Sequence, residues 1–81
     1  MKEALETVLD QFRPGFDADG FDVSVDSVGA DGVVIVRIDH RADACEECLI
    51  PDDMLGPMLE SAMQRVTSAV MQVELKHHHP S

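Results

Sequence analysis

Two cysteines, Cys45 and Cys48, stand three positions apart in this 81-residue chain and are the only thiols it contains. Two thiolates at this spacing can bind one metal centre or close into one disulfide. They cannot complete a four-thiolate site alone. The chemistry of the pair therefore requires a second chain, a ligand other than cysteine, or a reversible dithiol.

The charged residues around the cysteine pair favour a metal over a reactive dithiol. A redox-active thiol needs cations or a helix N-terminus to stabilise its thiolate, but the charged neighbours here, apart from Arg41, are acidic. A bound soft metal supplies the missing positive charge. Two chains that donate two cysteines each would complete an exposed, labile four-sulfur site, which suits a carrier. Burial of both cysteines as small packing residues is the less favoured interpretation.

The formal net charge of −10 restricts the partners of the protein. Nucleic acids and anionic membranes both attract clustered basic side chains, whereas the six Lys and Arg residues here are scattered. The 44% of apolar residues can form one small core, and no apolar run is long enough to span a bilayer. The acidic N-terminus is not typical of a signal peptide, so we expect a cytoplasmic protein.

Hydrophobic periodicity predicts the elements that position the cysteines. In chain order these are a helix over 3–12, a turn over 17–20, strands over 21–26 and 33–38, a loop over 40–50, a helix over 51–66 and a strand over 70–75. The second helix is expected to restart near Pro57 after one opening turn. The turn signal at 29–32 predicts that the first two strands form an antiparallel hairpin.

This order of elements predicts an α+β fold. The simplest solution is a small two-layer domain, helix-strand-strand-helix-strand, with both helices on one face of a three-stranded mixed sheet. A right-handed crossover would place the third strand parallel to its neighbour. We expect a single domain over residues 1–76 and a flexible tail over 77–81.

Segments on both sides of the cysteine pair resemble one protein family. Residues 13–23 (RPGFDADGFDV) resemble the pattern R-P-x-L-x-x-D-G-G-D-V, and residues 31–38 (DGVVIVRI) are similar to D-G-V-V-x-V-R-L. Residues 44–48 (ACEEC) match A-C-x-x-C. Three further matches lie in the following helix: Leu55, Glu60 and Ala62. These motifs occur in this order in the C-terminal domain of NifU, a family of iron–sulfur scaffold and carrier proteins.

The resemblance implies a [4Fe-4S] cluster bridged between two protomers by Cys45 and Cys48 of each. It also implies a cluster-bridged homodimer that works with assembly factors and delivers the cluster to apo iron–sulfur proteins, without enzymatic activity. The family fold has the same order of elements as the one predicted from periodicity. Zinc on the two cysteines is the less favoured alternative.

The chain departs from the family pattern at the site itself. Asp43 stands where the family usually has Gly, and Leu49-Ile50-Pro51 replaces a P-S-S run after the second cysteine. Phe21 replaces the second glycine of the D-G-G-D turn. The main alternative function is therefore a protein-interaction module, or an enzyme-complex subunit, that has lost the cluster or binds zinc. A dithiol oxidoreductase is the third.

The histidines offer further ligands. His40 is close enough in sequence to be a third ligand, but we expect a solvent-exposed histidine at the end of a strand. His77, His78 and His79 are as typical of a solvated tail or a purification-tag fragment as of a metal site, and no role is assigned to them. Leu49 and Ile50 are either an exposed apolar edge or a cap on the core, and the acidic turn at 17–22 lacks the ligands of an EF-hand.

Overall fold

The computed structural model describes residues 2–79, which form three α-helices, three β-strands and one 3₁₀ turn. In chain order they are α1 (Lys2–Asp10), α2 (Arg13–Ala18), β1 (Phe21–Val28), β2 (Val33–His40), the 3₁₀ turn (Glu46–Cys48), α3 (Asp52–Gln64) and β3 (Gln72–His78). No helix in this part of the chain is both long enough and apolar enough to cross a bilayer.

The three strands form one mixed sheet in the order β1-β2-β3. β1 and β2 pair antiparallel through the predicted hairpin, and β3 returns from α3 to pair parallel with β2. The register pairs His40 with Phe21 of β1 on one side of the central strand β2, and pairs Ile38 with His77 of β3 on its other side. The predicted α+β fold with a three-stranded mixed sheet is confirmed.

All three helices pack on one face of this sheet. Apolar residues recur every second position in the strands and every three to four positions in the helices, so each element has one apolar face that it can bury. In β2, Val34, Val36 and Ile38 point into the core, and the residues between them lie toward the open face. The helices contribute apolar residues at helical spacing. Those that are completely buried are Leu5, Leu9, Leu55, Leu59 and Met63.

The helical regions differ from the sequence-based prediction in two places. α2 occupies residues predicted to end the first helix and begin a turn, since Pro14 is compatible with a first helical turn and Phe16 is buried. α3 runs through Pro57 without restarting. Pro57 removes one helical bond, to the carbonyl of Asp53, which lies in the exposed first turn where water can replace it.

The third strand begins and ends later than its apolar pattern predicts. β3 continues to His78 because β2 itself continues to His40, and the backbone of His77 pairs with that of Ile38. His77 and His78 therefore belong to the sheet and not to a flexible tail. The residues of this extension are polar, so the apolar pattern of the sequence does not indicate that the strand continues. Pro80 and Ser81 of the predicted tail lie outside the described residues.

Candidate functional site

The cysteine pair lies on the loop between β2 and α3. Cys45 immediately precedes the 3₁₀ turn and Cys48 ends it, and both residues are exposed. A disulfide joins them, with their Cα atoms 5.3 Å apart. The two residues predicted to carry the chemistry thus share one surface turn, and the interpretation of a buried packing pair is wrong.

Gly20 allows this loop to rest against the turn between α2 and β1. Its φ is +94°, and a Cβ built there would lie 2.6 Å from the Cα of Ala44. The backbone N–H of Cys45 donates to the carbonyl oxygen of Asp19 at 2.8 Å, and that of Arg41 donates to the carbonyl oxygen of Gly20 at 2.9 Å. Main-chain hydrogen bonds therefore fix the first cysteine and the start of the loop against this turn.

Four polar side chains form a continuous row beside the cysteine loop, which we call the histidine row: Glu46, His40, His77 and Asp52. Nδ1 of His40 lies 2.7 Å from Oε2 of Glu46, and its Nε2 lies 2.7 Å from Nδ1 of His77. Nε2 of His77 lies 2.8 Å from Oδ1 of Asp52. The row joins the ends of β2 and β3 to the 3₁₀ turn and to the start of α3.

His40 is the buried member of this row, with 6% of its surface exposed. The ring of Phe21 packs edge-on against it, with the ring centres 4.9 Å apart. The sequence-based expectation of a solvent-exposed His40 is therefore wrong. Strand alternation contained the missed signal, because His40 is in phase with Ile38 and the other buried residues of β2, and His77 is in phase with Val73.

His79 extends the histidine row toward solvent. Its Nδ1 lies 3.6 Å from Oε1 of Glu46, and its ring centre lies 4.1 Å from that of His40. One donor atom from each of His40, Glu46 and His79 lies within 4.8 Å of the others. Within residues 2–79, neither cysteine belongs to such a three-ligand group. The possibility that His40 completes the ligand set of the cysteines is thus not supported by this geometry.

An apolar groove of about 320 Å³ opens next to Cys48, between the first two helices and α3. Phe12, Leu49, Ile50 and Met58 contribute to its walls. Leu49 packs partly against the core, whereas Ile50 is 36% exposed. The two apolar residues that follow the second cysteine therefore act differently: Leu49 caps the core and Ile50 borders an open groove.

The resemblance to the NifU C-terminal domain rests on the sequence motifs described above. No protein-family model matches the sequence, and no curated protein is significantly similar to it.

Proposed function

We propose that this protein is a cytoplasmic iron–sulfur carrier, not an enzyme, and that its cargo is a [4Fe-4S] cluster held by Cys45 and Cys48 of two chains. The exposure of both cysteines on one short turn carries the proposal. A cluster bound there is accessible to assembly factors and to apo iron–sulfur proteins. The motif resemblance described above supplies the choice of cluster type.

The number of ligands explains why two chains are needed. One chain offers two thiolates, which is half of the four-cysteine set that holds a [4Fe-4S] cluster. The disulfide must first be opened by a cellular thiol reductant, which supplies two electrons and two protons and leaves two thiols. The protons leave when iron binds, because the thiolate is the ligand.

The surface around the turn has one property that favours pairing and one that opposes it. Ile50 and Met58 present apolar surface beside Cys48, which a second copy of the chain can cover. The net charge of −10 on each chain opposes association. A dimer that depends on its cluster follows from this balance, and it would separate when the cluster is delivered.

Anaerobic reconstitution with ferrous iron and sulfide, followed by size separation and metal analysis, tests the proposal. We expect about four irons and four sulfides per dimer. Cys45→Ser and Cys48→Ser should each abolish both the cluster and the dimer. Glu47→Gln is a suitable control, since it changes an exposed residue of the same turn and leaves both thiols in place. A colourless, iron-free monomer would overturn the proposal.

The apolar groove favours a second candidate function. Phe12, Ile50 and Met58 could receive an apolar segment of a protein partner, which would make the domain an interaction module or a subunit of a larger complex, with zinc or without metal. An iron-free protein that binds a partner, and loses it on Ile50→Asp, would favour this function. The cluster carrier predicts that Ile50→Asp weakens cluster-dependent dimerisation instead.

A further inference from the structure

We propose that His40, Glu46 and His79 form a zinc site separate from the cysteine pair, in which the other two members of the histidine row orient the buried ligand. The observation that carries this inference is the meeting of two imidazoles and one carboxylate where β2 and β3 end, next to the 3₁₀ turn. The site does not depend on the proposed cluster.

The distances between the donor atoms suit a tetrahedral ion. Ligands about 2.0–2.1 Å from a tetrahedral zinc lie about 3.3 Å from one another. Nδ1 of His40 is 2.7 and 3.0 Å from the two oxygens of Glu46, and Nδ1 of His79 is 3.6 Å from one of them. To reach that spacing the contact between His40 and Glu46 must open by about 0.6 Å. The donor atoms of His40 and His79 lie within 4.8 Å of each other, and Glu46 and His79 are exposed side chains that can adjust.

Counting protons in the histidine row shows what the ion would replace. Each ionised carboxylate accepts hydrogen bonds, so Nδ1 of His40 must donate to Glu46 and Nε2 of His77 must donate to Asp52. If both imidazoles are neutral, Nε2 of His40 and Nδ1 of His77 then carry no proton, and their lone pairs face each other across a distance of 2.7 Å between the two nitrogens. One of these two nitrogens must carry a proton for the contact to be a hydrogen bond.

Zinc on Nδ1 of His40 meets this requirement. The ion takes the place of the proton between His40 and Glu46, so the remaining proton of His40 sits on Nε2 and donates to His77. The Nε2–H of His77 then donates to Asp52, and each contact has one donor and one acceptor with both imidazoles neutral. A metal-bound histidine that donates its second N–H to a hydrogen-bonded outer shell is the usual arrangement of protein metal sites.

The ligand types select the metal. Two imidazoles and one carboxylate form a zinc ligand set with a fourth position open to water or to another ligand. Glu46 also lies in the turn between the two cysteines, so an ion at this site would attach that turn to the ends of β2 and β3. The consequence is a cysteine turn with a fixed position relative to the sheet.

Calorimetric titration of Zn²⁺ into a Cys45→Ser/Cys48→Ser double variant tests this site without any contribution from the thiols. We expect one ion per chain. Glu46→Gln and His79→Gln should each weaken binding at least about tenfold, and His77→Ala should weaken it by about 10- to 100-fold through loss of the outer shell. Glu47→Gln and His78→Gln are matched controls, each an exposed neighbour outside the site, and should bind as the parent does.

Nitrogen-15 NMR of the histidine rings gives a second readout. Saturating Zn²⁺ should shift Nδ1 of His40 to the position of a metal-bound nitrogen, while its Nε2 carries the proton. Absence of Zn²⁺ binding, or an equal loss of binding in the His78→Gln control, would overturn the proposal. Ligation through Nε2 of His40 would overturn it as well, because that atom faces His77.

Discussion

Nε2 of His40 lies 2.7 Å from Nδ1 of His77, although 37 positions separate the two residues in the sequence. The contact exists because β2 and β3 are parallel neighbours whose C-terminal ends lie side by side. His40 and Ile38 follow each other on the core face of β2, and the backbone of His77 pairs with that of Ile38. The topology therefore places the second histidine directly beside the first.

Replacing His77 should destabilise the protein more than replacing the next residue. His77→Ala leaves Nε2 of the buried His40 without its protein partner, and an unsatisfied buried polar group costs about 1–3 kcal/mol. Urea unfolding of His77→Ala and His78→Ala measures the difference. His78 is exposed and lies on the opposite face of β3, so its variant should remain close to the parent. Equal stabilities would mean that the contact between the two histidines contributes nothing.

Gly20→Ala should destabilise the fold and displace the cysteine loop. The backbone conformation of Gly20 costs a residue with a Cβ about 1–2 kcal/mol, and the added atom meets the main chain of Ala44. Thermal or urea unfolding gives the loss of stability. Chemical-shift changes around Cys45 should report the movement of the loop, because the N–H of that residue bonds to the neighbouring Asp19.

Gly15→Ala is the matched control for the glycine prediction. Gly15 lies inside α2, and a Cβ built there meets nothing within 4 Å. Alanine favours the helical conformation over glycine by about 0.5–1 kcal/mol, so this variant should be as stable as the parent or more so. A comparable loss at both glycines would contradict the role given to the turn at Gly20.

Replacing Arg13 by Met should weaken the attachment of the first two helices to β1. The guanidinium donates to the carbonyl oxygen of Val23 at 3.0 Å and to Oε2 of Glu6 at 3.0 Å, and it also pairs with Asp10. Hydrogen bonds to charged groups contribute about 1.5–3 kcal/mol each, and we expect a loss of about 2–3 kcal/mol in urea unfolding. Arg65→Met, at the exposed end of α3, should have little effect.

The contribution of Arg13 should not change with pH around neutrality. Burial lowers the pKa of Arg13, but the hydrogen bonds and negative charges of Asp10 and Glu6 outweigh it, and the pKa in the folded protein is raised. A raised pKa of a basic group gives stability that is complete below the unfolded value and lost only as pH rises through the folded one. The difference between the parent and Arg13→Met should thus be the same in mildly acidic and mildly alkaline buffer.

Without a cluster, the protein should be monomeric at low salt. Two chains with a charge of −10 repel each other, and the repulsion is screened beyond about 10 Å at 0.1 M salt. Sedimentation velocity of the reduced, metal-free protein over a range of salt concentrations should show association only as salt increases. A stable dimer of this form at low salt would contradict the proposal that the cluster holds the two chains together.

Much of the fold follows from the sequence because apolar residues alternate in the strands and recur at helical spacing in α1 and α3. The structure departs from the sequence-based prediction where polar or breaking residues take part in regular structure. Pro57 lies inside α3, the short α2 depends on the burial of Phe16, and His77 and His78 extend β3 through pairing with β2. Tertiary contacts decide the outcomes for α2 and β3, whereas Pro57 is tolerated because the carbonyl of Asp53 lies in an exposed turn.

Only part of the candidate site could likewise be predicted from the sequence. Cys45 and Cys48 could be identified because their chemistry and spacing are visible in the sequence. The histidine row could not, because His40 and His77 meet only through the parallel pairing of two strands. The sequence-based expectation places His40 in solvent. Extending the alternation of β2 by one more pair of residues would have placed it on the buried face, but no local signal indicated its partner.

β3 lies at the edge of the sheet and pairs there with β2. Edge strands open more readily than central ones, and local opening requires less free energy than global unfolding. When β3 separates from β2, His77 leaves the side of His40 and the ligand His79 moves with it. Zn²⁺ that binds only the closed form should slow hydrogen exchange at the β3 amides by the factor 1 + [Zn²⁺]/Kd. Retention of the ion is therefore governed by the lifetime of one strand pairing, and it can fail while the rest of the molecule remains folded.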